Sequence, residues 1–314
     1  MAEALTIPRI DGAALFAGDE ATVAALRAAG QRHGFFYLVN HGIDPALIAA
    51  VFAEAQGFFA LPMAEKAALD MAGSPCNRGY EPLRGQRLEA GSPPDLKEGF
   101  YIGEDLAADD PRVLAGRFNM GANQWPAGRP AFRAAMSAYF AAASALAGQV
   151  MGGLARALGL PADYFAAFAT DPAATLRLLH YPPQPANPLP GEKGCGAHTD
   201  FGAITLLLQD ASGGLQVQDV ASGAWIDAPP VPGAFVVNLG DLIARWTNHH
   251  FHSNPHRVIN LSGQERYSVP FFFTGNPDYQ VSCLPTCLAE GQAPLYPPIT
   301  TEQHLADCYR RTYA

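Results

Sequence analysis

Charge is scarce in this chain. Of its 314 residues only 16% are charged, against 49% hydrophobic. Disorder as a global state needs the reverse balance and is excluded. Basic residues are the scarcer sign, 20 against 29 acidic, for a net charge of −9. With no long Lys/Arg run, neither nucleic acid nor an anionic membrane surface is expected as a partner. Cysteine is scarce too: Cys76, Cys195, Cys283, Cys287 and Cys308, odd in number and mostly far apart. They do not form the pattern of a disulfide framework, and Cys283-x3-Cys287 alone is a poor zinc signal. Reduced thiols used as small hydrophobic residues are the expectation, in a cytoplasmic protein. The first dozen residues lack a basic start and a long apolar run, so no secretory leader is expected. No repeat of solenoid or propeller period occurs.

One stretch lacks charge altogether, the 22 residues between Arg133 and Arg156. It is rich in Ala, Gly and Ser and poor in Leu and Ile. Helices facing lipid want strongly apolar side chains. The composition instead fits a helix from about Pro130 to Leu158 packed closely on both sides inside a protein.

What is present divides in two. Residues 1–128 read as an N-terminal region of mixed character. Ile7–Asp11 is extended. Asp19 caps a helix to about Gln31, Gly34 ends it, and Phe35–Val39 is an aromatic, β-branched strand. Helices begin at Pro45 and Pro62. Residues 72–128 are rich in Gly, Pro and polar side chains, long for a connector and suited to a functional loop. In residues 129–314 the long helix is followed by short strands between Gly/Pro turns: Leu176–Tyr181, Ile204–Gln209, Leu215–Val220, Trp225–Asp227, Phe235–Asn238, Ser253–Ile259 and Tyr267–Phe273. This spacing predicts a β-sandwich or barrel, closed by a helix from Thr300 or Thr301. The class is mainly β with a helical annex (α+β).

Three segments carry chemistry. His198 and Asp200 are two apart, so a strand would turn both to one face. His256 lies several strands later and can join them in a closed β fold. Two imidazoles and one carboxylate leave open positions on a metal, the arrangement that suits Fe(II) and O2. The third segment is Arg266-Tyr267-Ser268. A guanidinium and a hydroxyl on one face can hold the carboxylate of a small acid. The ten residues from His256 to Arg266 fit adjacent strands joined by a turn at Asn260–Gln264. A second histidine cluster, His249, His250 and His252, has no carboxylate or Cys at matching spacing, so it reads as surface or pocket rim.

At these residues the chain resembles the Fe(II)/2-oxoglutarate-dependent oxygenases of the isopenicillin N synthase-like family. The resemblance extends to His33–Ile43, Arg78–Tyr80, Asp95–Tyr101, Asn123–Pro126, Leu178–Pro185, Val236–Asp241 and Arg245–Asn248. It implies a double-stranded β-helix (jelly-roll) core flanked by helices. It also implies His198, Asp200 and His256 as iron ligands, Arg266 and Ser268 on the distal carboxylate of 2-oxoglutarate, and Tyr181 as a further hydrogen-bond partner of that co-substrate. The activity implied is hydroxylation of a small-molecule metabolite, or its desaturation or ring closure, with O2 consumed and succinate and CO2 released. An apolar pocket wall is expected from Leu206, Leu215, Val258, Phe271 and Phe273. Substrate contacts are expected from Arg78, Tyr80, Lys97 and Phe100. Two neighbouring readings stay open on sequence alone: an Fe(II) oxidase of the isopenicillin N synthase type that does without 2-oxoglutarate, and a metal-binding jelly roll without turnover.

Overall fold

The computed structural model describes residues 6–220 and 222–313. The first five residues of the stretch read above as lacking a leader lie outside that range. In chain order the N-terminal region contributes β1 (Arg9–Asp11), α1 (Gly12–Ala17), α2 (Glu20–Arg32), β2 (Phe35–Val39), α3 (Pro45–Phe59), α4 (Met63–Ala67), β3 (Gly79–Glu81), β4 (Glu98–Ile102) and α5 (Pro111–Leu114). Then come α6 (Pro130–Ala157), β5 (Ala173–Tyr181), β6 (Cys195–His198), β7 (Ile204–Gln209), β8 (Leu215–Gln218), β9 (Trp225–Asp227) and β10 (Phe235–Leu239). After these follow α7 (Asp241–Trp246), β11 (His256–Val258), β12 (Arg266–Gly275), a two-stranded ribbon of β13 (Gln280–Val281) and β14 (Ile299–Thr300), and α8 (Thr301–Tyr313).

Local chemistry places these elements. Asp19 caps α2, its carboxylate accepting the Thr22 amide at 2.8 Å. Gly34, in the left-handed region at φ +63°, turns the chain directly into β2, and a Cβ there would run into the His252 carbonyl. The segment 72–128 is not all loop. It holds β3 and β4, which pair with each other and add to β5. Gly79 and Glu81 in β3, and Glu98 and Gly99 in β4, hide them in a sequence reading, because Gly and Glu are depleted in strands.

Two sheets form the jelly roll. The larger runs β1-β2-β10-β7-β12-β5-β4-β3, and the smaller runs β6-β11-β8-β9. Strands of the N-terminal region therefore complete both ends of the larger sheet, so the two regions share one core. One apolar cluster fills the space between that sheet's outer face and helices α1, α2, α3 and α6, while a second lies between the two sheets. The charge-free helix α6 is long and apolar enough to cross a membrane. In the structure it packs against α1, α2, α3, β7 and β12. Its small residues allow close approach: a Cβ on Gly153 would press into Leu15 at 2.8 Å.

The turn at residues 260–264 does not join neighbouring strands. It carries the chain from β11 in the smaller sheet to β12 in the larger one. Arg266 and His256 thus face each other across the sandwich instead of lying side by side.

Candidate metal and co-substrate site

His198 is the last residue of β6, an edge strand paired with β11, where His256 is its register partner. Asp200 lies two residues beyond the strand end. Outside the strand, its carboxylate is held by Thr205 and Asn238 and not by strand alternation. Asp200 Oδ1 stands 3.7 Å from both His198 Nε2 and His256 Nε2. The donor atoms of all three lie within 4.8 Å of one another, and no other His/Cys/Asp/Glu cluster among the described residues has that geometry.

Each donor is held by a second contact. Asp200 Oδ2 accepts from Thr205 Oγ1 at 2.6 Å and from Asn238 Nδ2 at 2.7 Å, which leaves Oδ1 facing the imidazoles. His198 Nδ1 faces the Gly196 carbonyl at 2.8 Å, and His256 Nδ1 faces the Asn254 carbonyl at 3.3 Å. A carbonyl only accepts, so both Nδ1 atoms carry the proton and both Nε2 lone pairs point inward. Burial lowers both histidine pKa values, His256 to about 4 with His198 adding to the effect. Burial pushes the Asp200 carboxyl up, but the two imidazoles and two donors outweigh it and hold it low. Neutral imidazoles and an ionised carboxylate are the forms that bind a metal.

Next to the triad, in the same cavity, lies Arg266, 1% exposed. Its Nε donates to the Gly213 carbonyl at 2.6 Å and its Nη2 to Gln209 Oε1 at 3.3 Å. Nη1 is buried without a hydrogen-bond partner. No carboxylate of the described residues pairs with this guanidinium. A buried cation with unused N–H groups is costly unless an anion meets it. Ser268, on the same face of β12, lines the cavity, as does Tyr181. The donor set and this unmet guanidinium fit a metal ion with a small acid bound beside it.

The other expected pocket residues divide. Leu215, Val258 and Lys97 do line the inner cavity. Lys97 is buried and paired with Asp95 at 2.6 Å. Arg78 lines a wider outer cavity of about 280 Å³ that shares Asn119, Thr175, Arg177 and Tyr309 with a cleft reaching His198 and Asp200. Leu206, Phe271 and Phe273 do not belong to the pocket. They occupy the opposite face of their strands, in the core beneath α6. Tyr80 and Phe100 are also in that core: Tyr80 donates to Glu98 at 2.5 Å, and Phe100 packs on Phe58 and Phe132. The reason is strand alternation. Arg266 and Ser268 point inward, so Pro270 and Phe272 do as well, while Val269, Phe271 and Phe273 point out. That parity is visible in the sequence. Thr205, Asn238 and Arg177 escape a sequence reading, and only the parity of their strands could have indicated them. His249 bonds Tyr296 at 2.7 Å, away from the triad.

Comparison with known proteins agrees with this geometry. Residues 7–128 match the family described as non-haem dioxygenase in morphine synthesis N-terminal, and residues 172–275 match the 2OG-Fe(II) oxygenase superfamily. The chain belongs to the 2OG-Fe(II) oxygenases and is an oxidoreductase that uses Fe(II), 2-oxoglutarate and O2. It is 48% identical to the 2-oxoglutarate-Fe(II) type oxidoreductase hxnY of Emericella nidulans, over 98% of this chain and 90% of that protein. Among solved structures it is similar to a full-length Neurospora crassa protein in complex with alpha-KG and thymine, with TM-score 0.86 and 33% identity, over 100% of this chain and 99% of that one. A 2OG-Fe(II) oxygenase family protein of Caulobacter crescentus also has TM-score 0.86, at 34% identity over 98% and 99% of the two chains.

Proposed function

We propose that His198, Asp200 and His256 hold the Fe(II), that Arg266 and Ser268 hold the distal carboxylate of 2-oxoglutarate beside Tyr181, and that the substrate is a small metabolite hydroxylated at one C–H bond. The observation that carries this reading is the buried, unpartnered Arg266 Nη1 in the same cavity as the three converging donors. When bound, the iron and co-acid supply the oxidising power, as 2-oxoglutarate and O2 are converted to succinate and CO2. The chain's own residues do the rest. Burial keeps the imidazoles neutral, and the carbonyl bonds orient them. The apolar side chains Leu179, Leu207, Leu215 and Val258 exclude water around the co-acid. The outer cavity gives the substrate a route to the metal side of the triad.

Arg78, Arg87 and Arg177 line that route together with Gln86 and Asn119. This lining favours a small molecule with an anionic or hydrogen-bonding group. The Neurospora crassa protein, in complex with thymine, gives related support for a small polar ligand. The five free cysteines support placing the enzyme in the cytoplasm. The test is anaerobic. Addition of Fe(II) and then 2-oxoglutarate should produce the weak visible charge-transfer band of the chelate. Screening metabolites for O2-dependent succinate release then identifies the substrate. Absence of the band would overturn the co-substrate assignment.

A further inference from the structure

His198 stands on an edge strand, and the groups beyond that edge come from the long segment between β3 and β4. The Gly196 carbonyl that accepts His198 Nδ1–H at 2.8 Å belongs to the peptide joining Gly196 and Ala197. The N–H of that same peptide, on Ala197, donates to Glu89 Oε2 at 3.0 Å. One peptide unit thus joins a carboxylate to the outer nitrogen of the imidazole. Glu89 is itself held by Lys193 Nζ at 2.9 Å. The approach is close: a Cβ on Gly196 would lie 2.7 Å from Glu89 Cβ and 2.9 Å from its backbone nitrogen. Only glycine lets the loop reach the strand there.

We propose that Glu89 is a positioning residue for the iron site, acting on His198 through the Gly196–Ala197 peptide. The negative charge polarises the peptide, making its carbonyl a stronger acceptor for His198 Nδ1–H and His198 Nε2 a stronger metal donor. His256 provides the internal contrast. It makes the same type of bond, to the Asn254 carbonyl, but at 3.3 Å. The nitrogen of that peptide belongs to Pro255, which has no N–H and cannot be engaged by a carboxylate. The two imidazoles are therefore unequal, with His198 the more strongly bonded and the better donor. The backbone bond from Ala197 is also the main cause holding the Glu89 carboxyl below its ordinary pKa.

This inference rests on His198 being a metal ligand, and the test separates the two claims. Anaerobic Fe(II) titration of the full-length protein compares wild type, His198→Ala, Glu89→Ala and Glu89→Gln. Glu89→Ala should weaken Fe(II) binding about 10-fold, the usual size for an outer partner of a ligating histidine. Glu89→Gln, which keeps an acceptor without the charge, should fall between it and wild type. In Zn(II)-loaded protein with 15N-labelled histidine, the His198 imidazole proton resonance should move in both Glu89 variants while that of His256 stays. The melting temperature of the metal-free protein should fall only slightly, because Glu89 is partly exposed on a loop and its replacement removes one backbone bond and one ion pair. Binding within twofold of wild type, or equal movement of both imidazoles, would overturn the role of Glu89 alone. Wild-type Fe(II) binding no tighter than that of His198→Ala would overturn the site itself.

Discussion

The Arg266 guanidinium lies over the Tyr181 ring, 4.6 Å from its centroid. The two are register partners on β12 and β5, so the sheet itself sets this stack. The ring supplies a floor for the cation, and the Gly213 carbonyl fixes its Nε. Arg266 lines the cavity, and its Nη1 is left without a partner. Tyr181 therefore orients Arg266.

Arg266→Ala should raise the 2-oxoglutarate KM about 10- to 100-fold, the size of losing a buried charge-assisted contact. Much of kcat should persist at saturating 2-oxoglutarate. Arg266→Lys should not restore the contact, because an ammonium cannot reproduce the planar fork. Succinate formation against 2-oxoglutarate concentration measures both. An unchanged KM in Arg266→Ala would be decisive against the assignment.

Asp200→Ala should abolish Fe(II) binding and turnover. Thr205→Val should retain both at reduced strength, because it removes one of the two donors that hold Oδ2. A loss of about 10-fold in Fe(II) affinity is expected. With iron saturating, the 2-oxoglutarate KM of Thr205→Val should match wild type.

Phe271 and Phe272 are neighbours with opposite roles. Phe271 is fully buried and meets Phe140 at 5.2 Å between ring centroids. Its replacement by Ala should cost about 3–5 kcal/mol of unfolding free energy. Phe272 faces the cavity, with the Arg177 guanidinium 4.7 Å from its ring. Phe272→Ala should cost less stability and change substrate or co-substrate KM more. Chemical denaturation and steady-state kinetics on the pair give the comparison, and equal stability losses would contradict the face assignment.

His180 sits on the outer face of β5 between two carboxylates, 2.7 Å from Glu98 and 2.5 Å from Glu265. Lys66 and Tyr80 share Glu98, while Tyr267 and Phe59 pack on the imidazole ring. Burial lowers its pKa, but the carboxylates outweigh burial and raise it above 6.5. A raised histidine pKa stabilises the fold fully below the unfolded value of about 6.5. That contribution is lost as pH rises through the folded value. Unfolding free energy in urea should therefore fall with rising pH more steeply in wild type than in His180→Gln. Parallel pH profiles for the two proteins would remove His180 from the account.

Much of the site was legible from residue types. Few side chains suit an Fe(II) centre, so His198, Asp200 and His256 stood out, as did the Arg266/Ser268 pair on one strand face. The core strands were legible because β-branched and aromatic runs between turns have few other uses. The pocket wall was less so. Both faces of the larger sheet are buried, one against the smaller sheet and one against α6, so hydrophobicity marks Phe271 and Phe272 alike. Strands β3 and β4 were hidden because their pairing partners, and not their composition, make them strands.

By itself the sequence determined the donor chemistry, the β-rich class and the small-residue helix, because each depends on residue type and local period. Only the tertiary structure decided how those residues meet. It put His256 and Arg266 on opposite sheets, swung Asp200 past a strand end to face both imidazoles, and turned Leu206, Phe271 and Phe273 away from the cavity. It also brought Glu89, 108 residues before Ala197 in the chain, against the one peptide that holds the His198 imidazole. Such contacts depend on which edges and faces are brought together, and a one-dimensional pattern does not encode that separately from the fold.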